Sequence, residues 1–444
     1  MSKQIKTKKP VTRANKAEVR IHRYLIAFPV IALVIKFIVM ANIQAGAWYG
    51  ADGENYMFGV DGLIKEGFFS KESKLSYWPA GYPLLIWPLA KISVANVFYF
   101  LSFLQTVFFA YSTYFLTAQL KRTNFAYLAI FASFLISFNP TLSLSSLAVG
   151  YEAPIAACLM MSIGVVMKSH SSEGTKFSIR STCFASAWFA LAIFMQPRFL
   201  LVGLIFMLLW ALKMNSKRNS VLLLAVSIGV MAITPAIMIY RNINVIDQAT
   251  ISTNLGVTMA IGAGDETKGG YQRSGPEVPC PPTPPATSVT DNEKVKCVLK
   301  WYLKNPVKTL KLAYYKSQFF WSPWSGPLVD GTMARNPWLK IAPTQEIAKN
   351  ADGNKLVYGP VGKFVSYLWI IGQILFLFIG YREVRKLGAN EKFYANLMML
   401  PIVLSWLTSI GTIGDHRFRV PTMALSLFFQ VAGFIALKRK FLKV

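Results

Sequence analysis

The chain alternates long apolar segments with short polar connectors. The apolar segments run for about twenty residues, the length that an α-helix needs to cross the hydrocarbon core of a bilayer. Of the 444 residues, 54% are hydrophobic. Spans are expected near 23–42, 82–120, 124–140, 153–167, 182–197, 199–212, 220–240, 361–380, 394–413 and 418–437. The pattern predicts an all-α polytopic membrane protein with about ten transmembrane helices, in which 82–120 forms a short element, a longer helix and one net crossing.

Positive charge is concentrated at the ends of the apolar segments. The formal net charge is +27, but the basic residues do not gather on one soluble domain, so nucleic acid is not expected as a partner. Basic connectors at 168–180, 213–218 and 381–386 alternate with connectors that carry almost no positive charge. Because cytoplasmic loops are enriched in Lys and Arg, we expect a multi-pass protein of the cell (plasma) membrane with both termini cytoplasmic. The polar clusters then lie on the extracytoplasmic side.

This topology divides the chain into four regions. They are a basic cytoplasmic tail (1–22), an N-terminal transmembrane module (23–240) with a first outer loop at 43–81, a large extracytoplasmic loop region (241–360), and a C-terminal transmembrane module with a basic tail (361–444).

Two interfacial helices are predicted in the large outer region, over 291–304 and 306–320. They are separated at Asn305-Pro306, since Asn caps helices well and Pro suits the first helical position. The first helix would lie on the membrane with its lysines near lipid phosphates, although a solvated lysine face fits the same residues. Its lysines are Lys296, Lys300 and Lys304, opposed by Val295, Val298, Tyr302 and Leu303.

Acidic residues cluster in the first outer loop. Asp52, Glu54 and Asp61 precede an aromatic, glycine and proline turn at 77–83. Carboxylates at a membrane surface are costly unless they are solvated, paired or used. We interpret the loop as the place of a catalytic acid, with an ordinary solvated loop as the alternative.

Histidine-based chemistry is disfavoured. The chain has three histidines, and His416 is the one expected outside, which argues against a His-based zinc site or a Ser–His–acid triad. The outer arginines can bind phosphate through a planar fork, and a carboxylate can take the proton of an attacking hydroxyl. These arginines are Arg198, Arg241, Arg417 and Arg419, each of which could instead be a snorkelling interfacial residue.

Three further positions leave alternatives open. Glu152 either favours the start of its helix through the helix dipole or points into the same cavity as Asp52. Lys36, inside the first span, is expected to snorkel to the interface rather than face a phosphate in the interior. Cys280 and Cys297 can form a disulfide outside the cytoplasm or remain free.

An ordered set of short motifs resembles the GT-C superfamily of membrane glycosyltransferases. The set begins with Asp52-x-x-x-Tyr56 and Gly67, followed by Tyr77-Trp-Pro-Ala-Gly-Tyr-Pro83, where Trp78 replaces the first of two prolines usual in the family. Further along, Ser252-Thr-Asn-Leu-Gly256 to Gly262, Asn305-Pro306 and Arg417-Phe-Arg-Val-Pro421 are similar to segments of bacterial members. The similarity covers nearly the whole chain in the expected order, and it is closest to bacterial mannosyltransferase-like members.

The resemblance implies transfer of a sugar, with inversion, from a polyprenyl-phosphate donor to a hydroxyl of a glycan, lipid or protein acceptor. By position it makes Asp52 the catalytic carboxylate, with Glu54 as a rival or auxiliary. It implies no certain cofactor; some members use a divalent metal, but we assign no metal ligand. The residues expected to bind substrate are Tyr56, Tyr77, Trp78, Tyr82, Glu152, Arg198, Asn254, His416, Arg417 and Arg419.

Two other functions are compatible with the same residues. A lipid-linked saccharide transporter or flippase would place polar residues along a path across the membrane, whereas here they gather at one face, with Lys36 the main exception. An oligosaccharide polymerase shares the lipid-phosphate chemistry and differs in the leaving group.

Overall fold

A computed structural model describes residues 13–42, 52–170, 177–263, 268–270, 280, 290–322 and 350–442. In these ranges the regular elements are helices, joined by turns and short irregular connections, with no β-strand. The helices before the large polar region are α1 (Arg13–Asn42), α2 (Gly53–Glu66), α3 (Lys74–Tyr77), α4 (Gly81–Ile92), α5 (Val97–Leu120), α6 (Leu128–Phe138), α7 (Pro140–Leu144), α8 (Glu152–His170), α9 (Ile179–Met195), α10 (Phe199–Ala211) and α11 (Lys217–Ile246). The rest are α12 (Leu255–Ile261), α13 (Asp291–Lys304), α14 (Pro306–Trp321), α15 (Ala351–Tyr358), α16 (Pro360–Arg385), α17 (Ala389–Gly411) and α18 (Met423–Leu442).

The prediction of an all-α polytopic membrane protein is confirmed. Seven helices of the described chain are long and apolar enough to cross a bilayer, and an eighth results if α6 and the segment 140–147, which are bent by 53° at their junction, count as one span. About ten spans were expected. The number of long spans is smaller because α9 and α10 are apolar but shorter. α9 ends just before Pro197 and α10 begins just after it, because proline interrupts the helical backbone.

The spans differ in how much of their surface other helices cover. In α8 the most apolar stretch is 83% buried, whereas in α1 and α11 it is 22% buried. α8 therefore lies at the centre of the bundle, and the exposed apolar side chains of α1 and α11 are suited to face lipid. The site described below is built around the first residue of this central helix.

A pair of glycines brings α16 and α18 close together. A Cβ at Gly380 would collide with the carbonyl oxygen of Phe429, and one at Gly433 would collide with that of Phe376. Small residues at a helix crossing allow this backbone approach, which is how many transmembrane helices associate.

From residue 52 onward, the segment predicted as the first outer loop is largely helical. α2 forms because Tyr56, Val60 and Leu63 recur at helical spacing and are buried on one face. α3 and α4 follow after a short connection. The helix α2 positions Asp52 directly before its first turn.

Arg241 fastens the connection between α2 and α4 to the bundle. Its guanidinium donates to the carbonyl oxygens of Phe68 and Leu75, each at 3.1 Å, and to that of Ser70. The side chain is fully buried. These contacts occupy the guanidinium of Arg241 and hold the connection in place.

The predicted pair of helices after the proline-rich stretch is confirmed as α13 and α14. α13 begins with a capping box in which Thr290 and Glu293 satisfy each other's backbone N–H groups. Val298 is fully buried in a cluster with Met259 and Ala260 of α12, so this face of α13 points into the protein.

Cys280 and Cys297 form a disulfide, which resolves the alternative that the sequence left open. Their Cα atoms are 6.2 Å apart, within the range of disulfide geometry. The other glycines and prolines of the region, at 264–267, 271–279 and 281–285, lie outside the described residues, as do the basic tail at 1–12 and Trp324.

Candidate functional site

Arg417 joins two carboxylates from distant parts of the chain. Its Nη2 lies 2.6 Å from Oδ2 of Asp52, and its Nε lies 3.2 Å from Oε1 of Glu152. The side chains are 13%, 19% and 9% exposed for Arg417, Asp52 and Glu152. Charge-assisted hydrogen bonds of this kind are the strong ones, and the remaining exposure leaves the group reachable from outside the bundle.

Each member of this group sits at the end of an element. Asp52 precedes α2, Glu152 is the first residue of α8, and Arg417 lies in a 3₁₀ turn, His416–Phe418, that leads into α18. Asp415 fixes that turn because its Oδ1 accepts the backbone N–H of Arg417 at 2.8 Å. For Glu152 both alternatives hold: it opens a helix, and it also reaches the same cluster as Asp52.

A layer of tyrosines lies beneath the charged group. The Tyr56 ring packs edge-on against Tyr82 at 5.1 Å, Tyr151 at 6.2 Å and Trp78 at 6.3 Å between centroids. Burial raises the pKa of the hydroxyls of Tyr56, Tyr82 and Tyr151. These phenols therefore stay neutral and can donate hydrogen bonds, but they are unsuited to act as bases.

The turn at 78–83 is held by a close backbone approach. A Cβ at Gly81 would collide with the carbonyl oxygen of Phe194 in α9, so glycine is needed for this contact. The neighbouring Tyr82 hydroxyl accepts the N–H of Gly150 at 2.9 Å and donates to Oε1 of Gln105 at 3.3 Å. The motif thus fixes the segment that ends at Glu152.

Arg198 is a buried cation without a hydrogen-bond partner in the described chain. Its Nε, Nη1 and Nη2 atoms are all buried and unpaired. The guanidinium lies 3.9 Å from the centroid of Phe418 and 5.9 Å from that of Tyr151, close enough for cation–π attraction. Burial lowers the pKa of Arg198, while the nearby Tyr151 and Glu152 oppose that shift. An unpaired buried cation beside the Arg417 cluster is suited to receive an anion.

The structure separates Arg419 from Arg417. The guanidinium of Arg419 donates to the Trp321 carbonyl at 3.1 Å, the Ser322 carbonyl at 3.2 Å and Oε1 of Gln373 at 2.7 Å. It thereby satisfies carbonyls at the end of α14. Arg417 and Arg419, both expected to bind phosphate, thus have different neighbours although they are two residues apart.

The other residues expected to bind substrate have mixed positions. His416 is 2% exposed, and neither ring nitrogen has a hydrogen-bond partner among the described residues; its Nδ1 lies 3.5 Å from Oδ1 of Asp415. Tyr77 packs edge-on against Trp78 at 5.2 Å. Asn254 accepts a hydrogen bond from Ser252 at 3.2 Å. Glu54 is exposed on the first turn of α2 and, unlike Asp52, has no bond to Arg417.

Lys36 does not snorkel, which corrects the sequence-based expectation. It is 2% exposed and its Nζ lies 3.3 Å from Oγ of Ser146, with the Phe109 ring 4.8 Å away. Ser146 also contacts Thr106 Oγ1 at 3.2 Å. Because hydroxyl partners face Lys36 from the interior, its amine turns inward and helps to hold the segment before Glu152.

Two contributors to the site were missed from the sequence. Tyr151 borders both Tyr56 and Arg198, and Asp415 fixes the turn of Arg417. Both are next to residues that the sequence did single out, Glu152 and His416. That adjacency was the available signal.

The carboxylates of the site do not form a metal centre on their own. The described residues contain no group of three or more His, Cys, Asp or Glu side chains able to hold a metal ion. Asp52 and Glu152 each direct an oxygen to the same guanidinium.

Known proteins resemble this chain only distantly, and only in structure. No protein-family model matches the chain, and no curated protein does. The apo oligosaccharyltransferase of Archaeoglobus fulgidus aligns over 94% of this chain and 52% of its own, with a TM-score of 0.48 and 11% identity. The archaeal oligosaccharyltransferase AglB from A. fulgidus was solved with an inhibitory peptide and a dolichol-phosphate. It aligns over 93% of this chain and 50% of its own, with a TM-score of 0.46 and 12% identity. The A. fulgidus enzyme in complex with Zn and sulfate aligns over 92% of this chain and 49% of its own, with a TM-score of 0.45 and 13% identity.

The chain spans about half the length of these oligosaccharyltransferases. At this level of similarity neither their fold family nor their activity transfers to this chain. What the fold and the site define is a polytopic helical membrane protein that carries a buried cluster of two carboxylates and two arginines at one end of its bundle.

Proposed function

We propose that the chain is a membrane glycosyltransferase of GT-C type that moves a sugar from a polyprenyl-phosphate donor to a hydroxyl acceptor. The observation that carries this proposal is the meeting of Asp52, Glu152 and Arg417 beside the unpaired Arg198. The order of motifs along the sequence, which resembles that superfamily, supports it independently.

In the proposed reaction Asp52 is the base. An acceptor hydroxyl gives its proton to the carboxylate of Asp52 as its oxygen forms a bond to the anomeric carbon of the sugar. The bond between that carbon and the phosphate oxygen breaks, and polyprenyl phosphate leaves with the bonding electrons. Attack opposite the leaving group inverts the anomeric centre. Arg417 holds Oδ2 of Asp52 at 2.6 Å, which leaves Oδ1 as the oxygen to receive the proton.

Arg198 takes the role of the phosphate ligand. The leaving phosphate gains negative charge as the bond to the sugar breaks, and a preorganised cation in a buried site stabilises that charge most effectively. Three buried nitrogen atoms that have no hydrogen-bond partner among the described residues meet this requirement. Phe418 and Tyr151 hold the guanidinium from its sides. Arg417 contributes to the same field, while Arg419 is left out because it binds the end of α14.

The site is proposed to face the extracytoplasmic side, with both termini cytoplasmic. Glu152 opens α8, whose last turn carries Lys168, and Arg417 precedes α18, whose last turn carries Arg439 and Lys440. The basic ends of these helices are thus opposite the site. The excess of basic residues on cytoplasmic loops supports this orientation.

The test is transfer by the purified protein in lipid nanodiscs. A polyprenyl phosphate bearing a labelled sugar is supplied with a panel of hydroxyl acceptors, and released polyprenyl phosphate is measured. We expect release that depends on the acceptor and that Asp52→Asn abolishes. Asp61→Asn is the matched control, because Asp61 is an exposed acid of the same helix, and Glu54→Gln tests the rival acid.

Three outcomes would contradict the proposal. Full activity of Asp52→Asn would remove Asp52 as the base. Release of polyprenyl diphosphate from a diphosphate-linked donor, with none from the monophosphate, would indicate a polymerase. Movement of the intact donor across the bilayer without bond cleavage would indicate a flippase.

A further inference from the structure

Apolar side chains form an exposed stripe on α13 and α14. On α13, Leu299 and Leu303 are 48% and 83% exposed. On α14, Val307, Leu310 and Tyr314 are 78%, 72% and 58% exposed. Spacings of three and four residues put the members of each helix on one face. We call these five residues the apolar stripe. Apolar groups at this exposure, gathered on one surface, mark an interaction site.

Lysines lie beside the apolar stripe. Between 294 and 321 the sequence contains no Asp or Glu. At 100° per residue, the exposed lysines of α13 fall at 60°, 100° and 140° from Leu299, on the side of the helix where Leu303 lies at 40°. The exposed lysines of the two helices are Lys296, Lys300, Lys304, Lys308 and Lys311. An apolar face bordered by cations is the pattern of a helix that lies in the membrane interface.

The end of α14 is fixed at the level of the spans. Nε1 of Trp406, five residues before the end of α17, donates to Oγ of Ser317 at 2.9 Å. Nε2 of Gln373, inside α16, donates to the carbonyl of Trp321 at 3.1 Å. Both partners belong to helices long and apolar enough to cross a bilayer.

The apolar stripe lies close to these contacts. At 1.5 Å per residue, positions three and seven residues before Ser317 are only about 4 and 10 Å away along the axis of α14. Those positions are Tyr314 and Leu310. The exposed part of α14 is therefore near the depth at which the bilayer begins.

Among the described residues, the faces of α13 and α14 that pack against the protein are not those of the stripe. A different face of α13 carries the buried Val298, and a different face of α14 carries the buried Leu312. The sequence placed Val298 on the membrane face, whereas the structure turns it inward and exposes Leu299 instead. We infer that α13 and α14 lie in the bilayer interface, with the apolar stripe among the acyl chains and the lysines on the phosphates of anionic lipids. This inference does not rest on the proposed function.

The first test measures depth in the full chain. Cys158→Ala and Cys183→Ser remove the free thiols and leave the disulfide. Single cysteines at Leu303 or Leu310 are labelled with a polarity-sensitive fluorophore in nanodiscs that contain doxyl-labelled lipid. Leu407→Cys, 54% exposed on a span, is the membrane control, and Asn292→Cys, exposed on the first turn of α13, is the aqueous control.

We expect lipid quenching at 303 and 310 at least twice that at 292, approaching that at 407. Quenching by aqueous iodide equal to that at 292, without lipid quenching, would overturn the inference. Protection from both quenchers would overturn it too, because it would mean that another protein surface covers the stripe.

The second test concerns lipid charge. Nanodiscs of phosphatidylcholine alone are compared with nanodiscs in which phosphatidylglycerol replaces part of the lipid. A lysine near an anionic surface contributes about fivefold in local lipid affinity. We expect phosphatidylglycerol to increase lipid quenching at 303, and Lys296→Gln with Lys300→Gln and Lys311→Gln to remove that increase. Equal lipid quenching at 303 in the two kinds of nanodisc, measured on the protein that keeps its lysines, would refute the role of anionic lipid.

Discussion

The contact between Arg417 and Asp52 gives a prediction that needs no substrate. Arg417→Met leaves the carboxylates of Asp52 and Glu152 without their cation in a mostly buried position. Two unit charges about 4 Å apart attract by about 4 kcal/mol at an effective dielectric constant near 20. Removing one partner of a buried pair typically costs about 3–5 kcal/mol. Because these side chains keep some exposure, we expect Arg417→Met to lower the free energy of unfolding by about 3 kcal/mol.

The assay is a double-mutant cycle in nanodiscs, with unfolding followed by a denaturant midpoint or by melting temperature. Arg417→Met, Asp52→Asn and the double variant are compared with the parent. Because the two side chains touch, the double variant should lose about 1–3 kcal/mol less than the sum of the single losses.

The chain offers a matched control for this cycle. Nζ of Lys386 lies 2.6 Å from Oε1 of Glu383, the same distance, but these side chains are 55% and 40% exposed. Solvent screening reduces such a pair to less than about 1 kcal/mol. Additive losses for Arg417 and Asp52, or a coupling no larger than that of the control pair, would refute the argument that burial makes the site contact strong.

Three further predictions concern stability away from the charged group. Gly380→Leu should destabilise the protein by about 1–3 kcal/mol, because α16 and α18 must separate, and thermal unfolding in nanodiscs checks it, with Gly372→Leu in more open space as the control. Arg241→Met should leave buried carbonyls of 68–75 unpaired at about 1–3 kcal/mol each and raise hydrogen exchange of that connection, whereas unchanged exchange would contradict its role. Burial lowers the pKa of Lys316 to about 7, so between that value and its unfolded value of 10.5 the unfolded chain binds more protons and stability should rise with pH. Lys316→Met should flatten this rise, and an identical slope in both proteins would refute it.

The seven long spans could be predicted from the sequence, because the thickness of the bilayer requires an apolar segment of about twenty residues for each crossing. Asn305-Pro306 located the boundary between α13 and α14 because a cap and a proline act locally. α2 was missed, since a short amphipathic helix with several glycines and acids has the composition of a loop. Its burial comes from packing against α4, where Tyr56 meets Tyr82.

The charged group shows the same limit. Asp52, Glu152 and Arg417 could be singled out from the sequence. Arg417 could not be distinguished from Arg419, because the packing of a three-residue turn decides which of the two arginines contacts the carboxylates. The inward direction of Lys36 depended likewise on hydroxyls of the 143–146 segment, which no local pattern of α1 reveals. Contacts between distant segments set these directions.

The position of Arg417 near the end of the chain has a consequence for how the protein is made. Asp52 and Glu152 precede it by 365 and 265 residues. At about 5–20 residues per second, Glu152 is synthesised roughly 13–50 s before its cation exists. For that period the acidic side chains have to be hydrated or protonated, so the central helix can settle fully only after the segment that carries Arg417 has been made and inserted. Synthesis of that segment thus becomes the step that assembles the charged group.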